Sequence, residues 1–279
     1  MPARGATDDE RDPNVSDRRF ARALVTGASS GIGAAIAAEL AARGTDLVLV
    51  ARNEEKLQTL ATELSAEHGI AVEVLPTDLT ETGALRAVEE RLRGTEAPVD
   101  LLVNNAGVGQ VGRFEELDID VAETQIALNV LAPLRLTHAA LPNLRQAGGG
   151  VLNVSSIGAN QPVPRMATYA ATKAMLTSWT EALHEEMRGT PVHITVLAPG
   201  FTRTGFVGAA EAEGAAGHIP SFIWSDAAAV ARAGVDGVTA RRAVVTPGPI
   251  YRLSGAVSSA TPSNVTRRVI GTVMRFTGD

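Results

Sequence analysis

The chain has 279 residues, of which 45% are hydrophobic and 20% are charged. This composition is typical of a folded globular protein and excludes a disordered or fibrous one. A formal net charge of −6 disfavours nucleic acid as a partner, because neutralising phosphates needs a basic surface. The absence of cysteine excludes disulfides and thiolate metal sites and fits a cytoplasmic protein.

Residues 1–19 are charged, contain proline and glycine, and lack the apolar core of a secretory signal. This composition predicts a mobile N-terminal tail, because it offers little apolar surface to bury. No stretch of the sequence approaches the roughly 18 uninterrupted apolar residues that a membrane-spanning helix needs.

Short β-branched runs then alternate with stretches rich in alanine, leucine and glutamate. Strands are predicted at 23–28, 47–51, 72–76, 99–106, 151–156, 193–200 and 243–248. Helices are predicted near 32–43, 53–68, 82–93, 118–147, 167–187 and 225–238, the fourth divided or ended by Pro133 and Pro142. Most strands are continuous apolar runs, as in parallel sheets buried on both faces.

The alternation predicts the α/β class, with a single doubly wound Rossmann-type domain over residues 20–255. Its sheet is expected to be seven-stranded, mainly parallel and flanked by helices. Residues 256–279 are interpreted as a C-terminal extension, in which apolar residues such as Val265 and Val269 alternate with Arg267 and Arg268. It is either a helix docked on its own domain or subunit partner, or a basic amphipathic helix on a membrane surface.

A glycine-rich turn follows the first predicted strand. In TGASSGIG, Gly27, Gly31 and Gly33 open an alanine-rich helix, although their spacing is not the common G-x-G-x-x-G. Glycines allow a sharp turn and close approach of a ligand, and a helix N-terminus favours a pyrophosphate. Close packing of helix on strand explains one or two of the glycines, and all three together favour a dinucleotide. The predicted contacts are Gly27, Ser29, Ser30, Gly31, Ile32 and Gly33.

In dinucleotide-binding folds, a carboxylate at the end of the second strand binds the adenosine ribose 2′-hydroxyl. Here the second strand ends at Ala51, which is followed by Arg52. A guanidinium suits a 2′-phosphate. The sequence therefore favours NADP(H), with NAD(H) as a possible second cofactor. A solvent-exposed arginine at the start of a helix is the alternative.

The third and fourth strands also end in polar residues. Asp78 and Leu79 follow the third, where Asp78 either caps the next helix or belongs to the cofactor site. Asn104 to Gly107 follow the fourth, and two adjacent amides are costly in an apolar strand unless they are hydrogen-bonded.

The stretch from Tyr169 to Lys173 uses one of the two tyrosines in the chain. On a helix the two side chains lie one turn apart on one face. A phenol titrates near pH 10, and a positive charge at about 4 Å is worth about 4 kcal/mol, or roughly three pKa units. Lys173 is thus expected to bring the pKa of Tyr169 toward that of a working acid–base. The alternative interpretation is that Tyr169 and Lys173 are a solvent-exposed pair on the surface of a helix.

The histidines show no spacing typical of metal ligands, so no metal site is predicted. They are His68, His138, His184, His193 and His218.

Taken together, TGASSGIG, NNAG, Ser156 and the Tyr169–Lys173 pair resemble the short-chain dehydrogenase/reductase family over about residues 22–205. The resemblance implies reversible hydride transfer between a nicotinamide and a carbonyl or alcohol. It implies that Tyr169 is the acid–base, that Ser156 donates to the substrate oxygen, and that Lys173 holds the nicotinamide ribose. It also implies that Asn129 supports a proton-relay water. The remaining cofactor contacts are assigned to Asp78, Leu79, Asn105, Ala106, Gly107, Pro199, Gly200, Thr202 and Thr204.

Residues 225–253 resemble a branch of broad-substrate bacterial reductases, some of which reduce acyl or steroid-like ketones. Residues of about 205–224 are a candidate lid. Its apolar members either line a pocket for an apolar carbonyl compound or, for Phe222 and Trp224, only anchor the lid. The proposed pocket residues are Phe206, Ile219, Phe222 and Trp224.

The resemblance also implies a homodimer or homotetramer paired through the helices near 118–147 and 167–187. A cofactor-binding regulator that has lost the chemistry is the alternative function. Such relatives usually lack the tyrosine or the lysine, and this chain keeps both Tyr169 and Lys173.

Overall fold

Seven parallel strands form one sheet in the computed structural model, which describes residues 20–204, 223–248 and 251. The strands are β1 (Arg22–Thr26), β2 (Asp46–Ala51), β3 (Val72–Pro76), β4 (Leu101–Asn104), β5 (Gly149–Val154), β6 (Val192–Leu197) and β7 (Val244–Val245). Their order is β3-β2-β1-β4-β5-β6-β7, and every neighbouring pair is parallel. The order reverses between β1 and β4, as in a doubly wound Rossmann-type sheet. The predicted fold class is confirmed.

Seven α-helices connect or follow these strands within the described residues. They are α1 (Gly31–Ala42), α2 (Glu54–His68), α3 (Thr82–Arg93), α4 (Ile119–Ile126), α5 (Ala132–Ala147), α6 (Ala167–Glu186) and α7 (Ala227–Thr239). Capping residues determine where the helices begin and end, as α2 shows. The side chain of Asn53 caps α2 by accepting from the Lys56 amide at 2.8 Å, and Gly69 ends the helix at a φ of +68°.

The helices cover both faces of the sheet. On one face α1, α2 and α7 bury Ile36, Leu57 and Val235 against the strands, and on the other α3 and α5 bury Val88 and Leu136. Leu24 and Val25 are neighbours on β1 and belong to opposite layers. Because both faces are covered, both side chains must be apolar, which explains the continuous apolar runs.

Five of the seven predicted strands extend too far at their carboxyl ends, whereas the second and third end where predicted, at Ala51 and Pro76. The fourth, predicted at 99–106, is observed at Leu101–Asn104, and the sixth, predicted at 193–200, is observed at Val192–Leu197. The residues beyond each end leave the sheet and form the loops at its carboxyl edge.

The predicted effect of Pro142 is wrong. Pro142 lies inside α5, and the division falls earlier, at a π-helical segment over Ala127–Leu131 that precedes Pro133. Pro142 and His138, whose carbonyl would have accepted its missing N–H, are both exposed. Water can therefore replace the lost hydrogen bond, and the helix continues.

The predicted tail (1–19), most of the predicted lid (205–222) and the predicted extension (256–279) lie outside the described residues. Within the described ranges, no helix has the length and apolar character needed to span a bilayer.

Candidate active site

The glycine turn joins the carboxyl end of β1 to α1 and leaves no room for side chains. Gly27 and Gly31 have φ angles of +66° and +58°, which glycine adopts without strain. At Gly33, an added Cβ would lie 2.2 Å from the Gly27 carbonyl oxygen and 2.4 Å from Nδ2 of Asn105. All three glycines are therefore required by the backbone geometry.

The N-terminus of α1 is open to a ligand. Its cap residue, Ser30, makes no side-chain hydrogen bond to the helix, and the first turn contains no acidic residue. Amides at a helix start have no partner in the helix and favour an anion. The turn thus fits the pyrophosphate of a dinucleotide.

The NNAG segment fastens the end of β4 to the end of β1, at the reversal of strand order. Nδ2 of Asn105 donates to the Thr26 carbonyl at 2.9 Å, and Oγ1 of Thr26 accepts from the amides of Asn105 and Ala106, both at 3.0 Å. Asn104 points away and donates to Oδ1 of Asn153 at 2.8 Å. The side-chain amide of Asn105 therefore binds at the edge of the sheet that faces the crevice, whereas that of Asn104 is hydrogen-bonded in the core.

Arg52 and Asp78 meet at the edge of the same crevice. The Arg52 side chain is 77% exposed, and its Nη1 lies 3.8 Å from Oδ2 of Asp78. Oδ1 of Asp78 accepts from the amide and hydroxyl of Thr80 at 2.9 and 2.6 Å. Burial acts to raise the pKa of Asp78, but the bonds from Thr80 and the nearby guanidinium outweigh it and lower the pKa. Asp78 thus forms a local turn and also pairs with Arg52.

Ser156, Tyr169 and Lys173 converge where β5 ends and α6 begins. The Ser156 hydroxyl is hydrogen-bonded to the Tyr169 phenol and also accepts from the Gly158 amide at 3.1 Å. Nζ of Lys173 lies 5.9 Å from the centroid of the Tyr169 ring and donates to the Val154 carbonyl at 2.8 Å. The sequence spacing of these residues thus becomes one cluster.

The predicted direction of the Tyr169 pKa is wrong. Burial raises it to about 12, and the bond to Ser156 only partly opposes this effect. Burial also lowers the pKa of Lys173 to about 8. A positive charge about 4 Å from the phenol in a well-solvated setting would lower the pKa of Tyr169, whereas desolvation dominates at both groups here.

Asn129 belongs to the π-helical segment and is fully buried beside the same cluster. Its amide pairs with the Val108 backbone in both directions, at 2.9 Å each, and Nδ2 also donates to Oγ1 of Thr172 at 3.1 Å. A Cβ added at Gly107 would lie 3.0 Å from Oδ1 of Asn129 and 3.4 Å from Nζ of Lys173. Asn129 and Lys173 thus border the loop that follows NNAG, and π segments are frequent at functional sites.

The segment from Pro199 to Thr204 completes the rim of the crevice. The Pro199 carbonyl accepts from the Ile157 amide at 3.0 Å, next to Ser156. At the other end, a Cβ added at Gly31 would lie 3.1 Å from Cβ of Thr204. Between them, the Thr202 hydroxyl donates to the Gly200 carbonyl at 3.0 Å. This segment therefore bridges the cluster of Ser156, Tyr169 and Lys173 and the glycine turn.

Of the proposed pocket residues, Phe206, Ile219 and Phe222 lie outside the described residues. Trp224 is half-buried and packs on Phe201, with ring centroids 5.8 Å apart. Phe201 is 47% exposed.

Sequence reasoning missed several residues that hold this site. Oγ of Ser155 donates to the Lys173 carbonyl at 3.0 Å, fixing α6 to β5, and Asn153 donates to Oγ1 of Thr180 at 2.9 Å. Their signal was a run of polar residues inside the apolar strand VLNVSS. Tyr251 was also missed, and its signal was that it is the second of only two tyrosines.

The chain is similar in sequence to short chain dehydrogenases. A profile of the family described as short chain dehydrogenase matches residues 21–214. A short chain dehydrogenase of Pseudocercospora fijiensis is 37% identical over 197 residues, which are 67% of this chain and 63% of that protein. The match therefore spans less than two thirds of that relative's length.

Solved structures resemble the chain over most of its length. A short-chain dehydrogenase from Sphingobium yanoikuyae in complex with NADPH has a TM-score of 0.74 and 36% identity, covering 86% of this chain and 94% of its own. A bulky-bulky ketone specific alcohol dehydrogenase from Comamonas testosteroni has a TM-score of 0.75 and 30% identity, covering 87% and 92%.

Proposed function

We propose that this chain, which belongs to the short-chain dehydrogenase family, catalyses reversible hydride transfer between a nicotinamide cofactor and a carbonyl compound or its alcohol. The observation that carries the proposal is the cluster of Ser156, Tyr169 and Lys173 beside the loop that follows NNAG. A phenol held by a hydroxyl next to a buried ammonium supplies proton donors for a substrate oxygen. The adjacent glycine turn supplies the site for a dinucleotide.

In this proposal the bound nicotinamide supplies or accepts the hydride. Tyr169 keeps its proton at neutral pH, because burial raises its pKa to about 12. It therefore acts as the acid during carbonyl reduction and donates that proton to the substrate oxygen as the carbonyl carbon is reduced. Ser156 has one hydroxyl proton, and when substrate is bound this proton is donated to the same oxygen in place of the phenol.

Lys173 holds the ribose hydroxyls in this proposal. Its ammonium lies beside Gly107 and is held by the Val154 carbonyl at 2.8 Å, with two further protons to donate. Asn129 keeps the loop after Gly107 in place through its paired bonds to Val108. It is also the candidate support for a proton-relay water.

The proposed cofactor is NADP(H) in preference to NAD(H). Arg52 is exposed at the crevice, its guanidinium suits a 2′-phosphate, and the second strand carries no carboxylate at its end. Asp78 competes with a 2′-phosphate for the guanidinium of Arg52, so we expect NADP(H) to bind more tightly than NAD(H) without excluding it. The complex of the Sphingobium yanoikuyae neighbour with NADPH supports the same choice. Titration with both cofactors tests it, and equal or tighter NAD(H) binding would contradict it.

The proposed substrate is an apolar ketone or its secondary alcohol. The exposed Phe201 ring, packed on Trp224 next to the cofactor segment, offers an apolar surface. The Comamonas testosteroni neighbour is described as specific for bulky-bulky ketones, which supports the same class. An activity panel in which only small polar ketones react would refute this part of the proposal.

The central experiment follows NADPH oxidation against ketones graded from small and polar to long-chain and steroidal. Tyr169→Phe should keep NADPH binding and lose about 100- to 10,000-fold of the turnover, the usual contribution of an acid–base. Ser178→Ala is the matched control, because Ser178 lies exposed on the same helix. A Tyr169→Phe enzyme that turns over a substrate at the unmodified rate would refute the assignment.

We also propose that two copies pair through α5 and α6, as a homodimer or within a homotetramer. Leu131 and Met175 are exposed near these helices. A groove of about 480 Å³ is lined by residues of α3, α5 and α6, including the apolar Leu141, Trp179 and Leu183 and the charged Glu89, Arg93 and Arg135. An apolar groove with exposed apolar residues near it is a surface that a second copy of the chain can cover. Sedimentation analysis should give a dimer or larger, and Leu131→Asp should weaken it while Val244→Asp on the sheet edge should not.

A further inference from the structure

Tyr251 packs directly against the candidate cofactor segment. It is buried, and its ring occupies the space that a side chain at Gly200 would need. An added Cβ at Gly200 would lie 2.1 to 2.4 Å from three ring atoms, far inside contact distance. Gly200 is therefore glycine because Tyr251 covers it.

The Tyr251 hydroxyl joins two stretches that are distant in sequence. It accepts from the Phe201 amide at 3.2 Å and donates to the Ile223 carbonyl through a short hydrogen bond. Both hydrogen-bonding capacities of the hydroxyl are thus used by backbone groups. A phenylalanine would pack equally well, so packing alone does not explain a hydroxyl at a buried position, where it is costly unless paired.

The backbone reinforces this junction. Thr202 and Ser225 form a parallel bridge, in which the Ser225 amide donates to the Phe201 carbonyl at 2.8 Å and the Arg203 amide to the Ser225 carbonyl at 3.2 Å. The stretches 201–204 and 223–225 are thereby held side by side. Tyr251 lies at the end of this junction nearest Gly200.

A shift of Phe201 would be transmitted to both halves of the active site. On one side, the Pro199 carbonyl is bonded to Ile157, the residue after Ser156. On the other, Thr204 lies against Gly31 of the dinucleotide turn. Phe201 lies two residues from the first contact and three from the second, so a displacement of Phe201 acts on both over a short stretch of backbone.

We propose that Tyr251 is a positioning residue for cofactor binding, whose ring and hydroxyl hold Gly200 to Thr204 in place by tying Phe201 to Ile223. This inference rests on the proposed function, because it takes Pro199 to Thr204 as the segment that contacts the nicotinamide. Tyr251 itself acts through the backbone of that segment. Burial raises the pKa of Tyr251 against the opposing bond from Phe201, so the hydroxyl keeps its proton and can donate throughout the neutral range.

The test compares Tyr251→Phe with a matched control, Thr195→Val. Thr195 is fully buried in β6, and its hydroxyl donates to the Arg242 carbonyl at 2.7 Å, away from the crevice. Both variants lose a buried hydroxyl that bonds to backbone. Three quantities are measured in each protein: NADPH affinity by fluorescence titration, kcat at saturating NADPH, and hydrogen exchange of the Phe201 amide.

For Tyr251→Phe the expected result is a rise of about three- to tenfold in the NADPH Kd and a similar rise in Phe201 exchange, as loss of one or two hydrogen bonds gives. The kcat at saturating NADPH should change less than the Kd does, because Ser156, Tyr169 and Lys173 keep their own hydrogen bonds and are reached from the segment only through Ile157. Thr195→Val should leave the Kd and Phe201 exchange unchanged while lowering thermal stability to a similar extent. A purely structural role would make the two variants alike, and that outcome would overturn the proposal.

Gly200→Ala perturbs the same contact from the other side. Its methyl group would force the Tyr251 ring out of place, so the NADPH Kd should rise at least as far as in Tyr251→Phe. An unchanged Kd would overturn the proposal. The proposed function has its own test, because it would be refuted if the unmodified protein bound neither NADPH nor NADH. In that case, hydrogen exchange of the Phe201 amide would still show whether Tyr251 holds the segment from Gly200 to Thr204 in place.

Discussion

Replacing Lys173 with methionine measures how much the buried ammonium costs the folded state. Lys173 is buried among the site residues, with one hydrogen bond to the Val154 carbonyl at 2.8 Å. Burial lowers its pKa from 10.5 to about 8. Methionine has a similar length and no charge, so it removes the desolvation cost while nearly filling the same space.

The size and sign of the effect follow from this pKa. One pKa unit corresponds to about 1.4 kcal/mol, so below pH 8 the charged lysine lowers the free energy of unfolding by about 3 kcal/mol. Loss of the bond to Val154 offsets about 1 kcal/mol of the gain. Lys173→Met is therefore expected to be about 2 kcal/mol more stable than the unmodified protein at pH 7, and inactive.

The gain must shrink as the pH rises. Between pH 8 and 10.5 the unfolded chain binds more protons at Lys173 than the folded chain does, so the unmodified protein becomes more stable with increasing pH. The difference between the two proteins should fall by about 2 kcal/mol from pH 7 to pH 9.5. Measurements stop there because the pKa of Tyr169 is raised to about 12. Above about pH 10 its phenol ionises in the unfolded chain first and destabilises the fold.

The assay is urea unfolding without cofactor at pH 7, 8.5 and 9.5, at one protein concentration because an oligomer makes stability concentration-dependent. Lys56→Met is the control. Lys56 is the only other lysine and is exposed at the start of α2, so its replacement should have little effect at any pH. A Lys173→Met protein that is less stable at pH 7, or a difference that does not change with pH, would refute the reasoning.

Three further predictions concern the site. Arg52→Ala should weaken NADPH binding about tenfold and NADH binding much less, as measured by paired titrations, and equal losses would argue against a 2′-phosphate contact. Gly33→Ala should abolish dinucleotide binding or lower the melting temperature, because its Cβ would lie 2.2 Å from the Gly27 carbonyl oxygen; normal binding and stability would contradict the required turn. Alcohol oxidation needs the Tyr169 phenolate, whose pKa is raised to about 12, so initial rates should climb with pH between 7 and 9, and a decline over that range would argue against Tyr169 as the base.

Local patterns predicted the order of elements because each pattern has a local physical cause. Helix α6 was predicted at 167–187 and is observed at Ala167–Glu186. Strand ends were harder to predict. Small or apolar residues follow β6, and Ala106 and Gly107 come soon after β4, yet these residues leave the sheet to border the crevice. The amino-acid sequence of a strand does not show where its hydrogen-bonded pairing stops, since that depends on the neighbouring strand.

The unpredicted parts of the site depend on contacts between distant residues. Tyr251 meets Gly200 and Phe201 about 50 positions earlier in the chain, and no pattern around it indicates this contact. The direction of the Tyr169 pKa required its burial, which helical spacing does not give. The charge of Lys173 was visible in the sequence, but its desolvation was not.

This desolvation explains why an arginine-rich chain has a lysine at this position. An arginine cannot lose its proton in the neutral or mildly alkaline range, so at this buried position it would keep the full cost of a charge. The pKa of Lys173 is already lowered to about 8, and the ammonium is small enough to fit between Gly107 and the Val154 carbonyl. A guanidinium is broader and directs its protons within one plane, whereas Nζ can hold Val154 and still donate to a ligand in other directions. The stability that the fold loses at Lys173 is therefore a consequence of keeping a small cation next to the phenol of Tyr169.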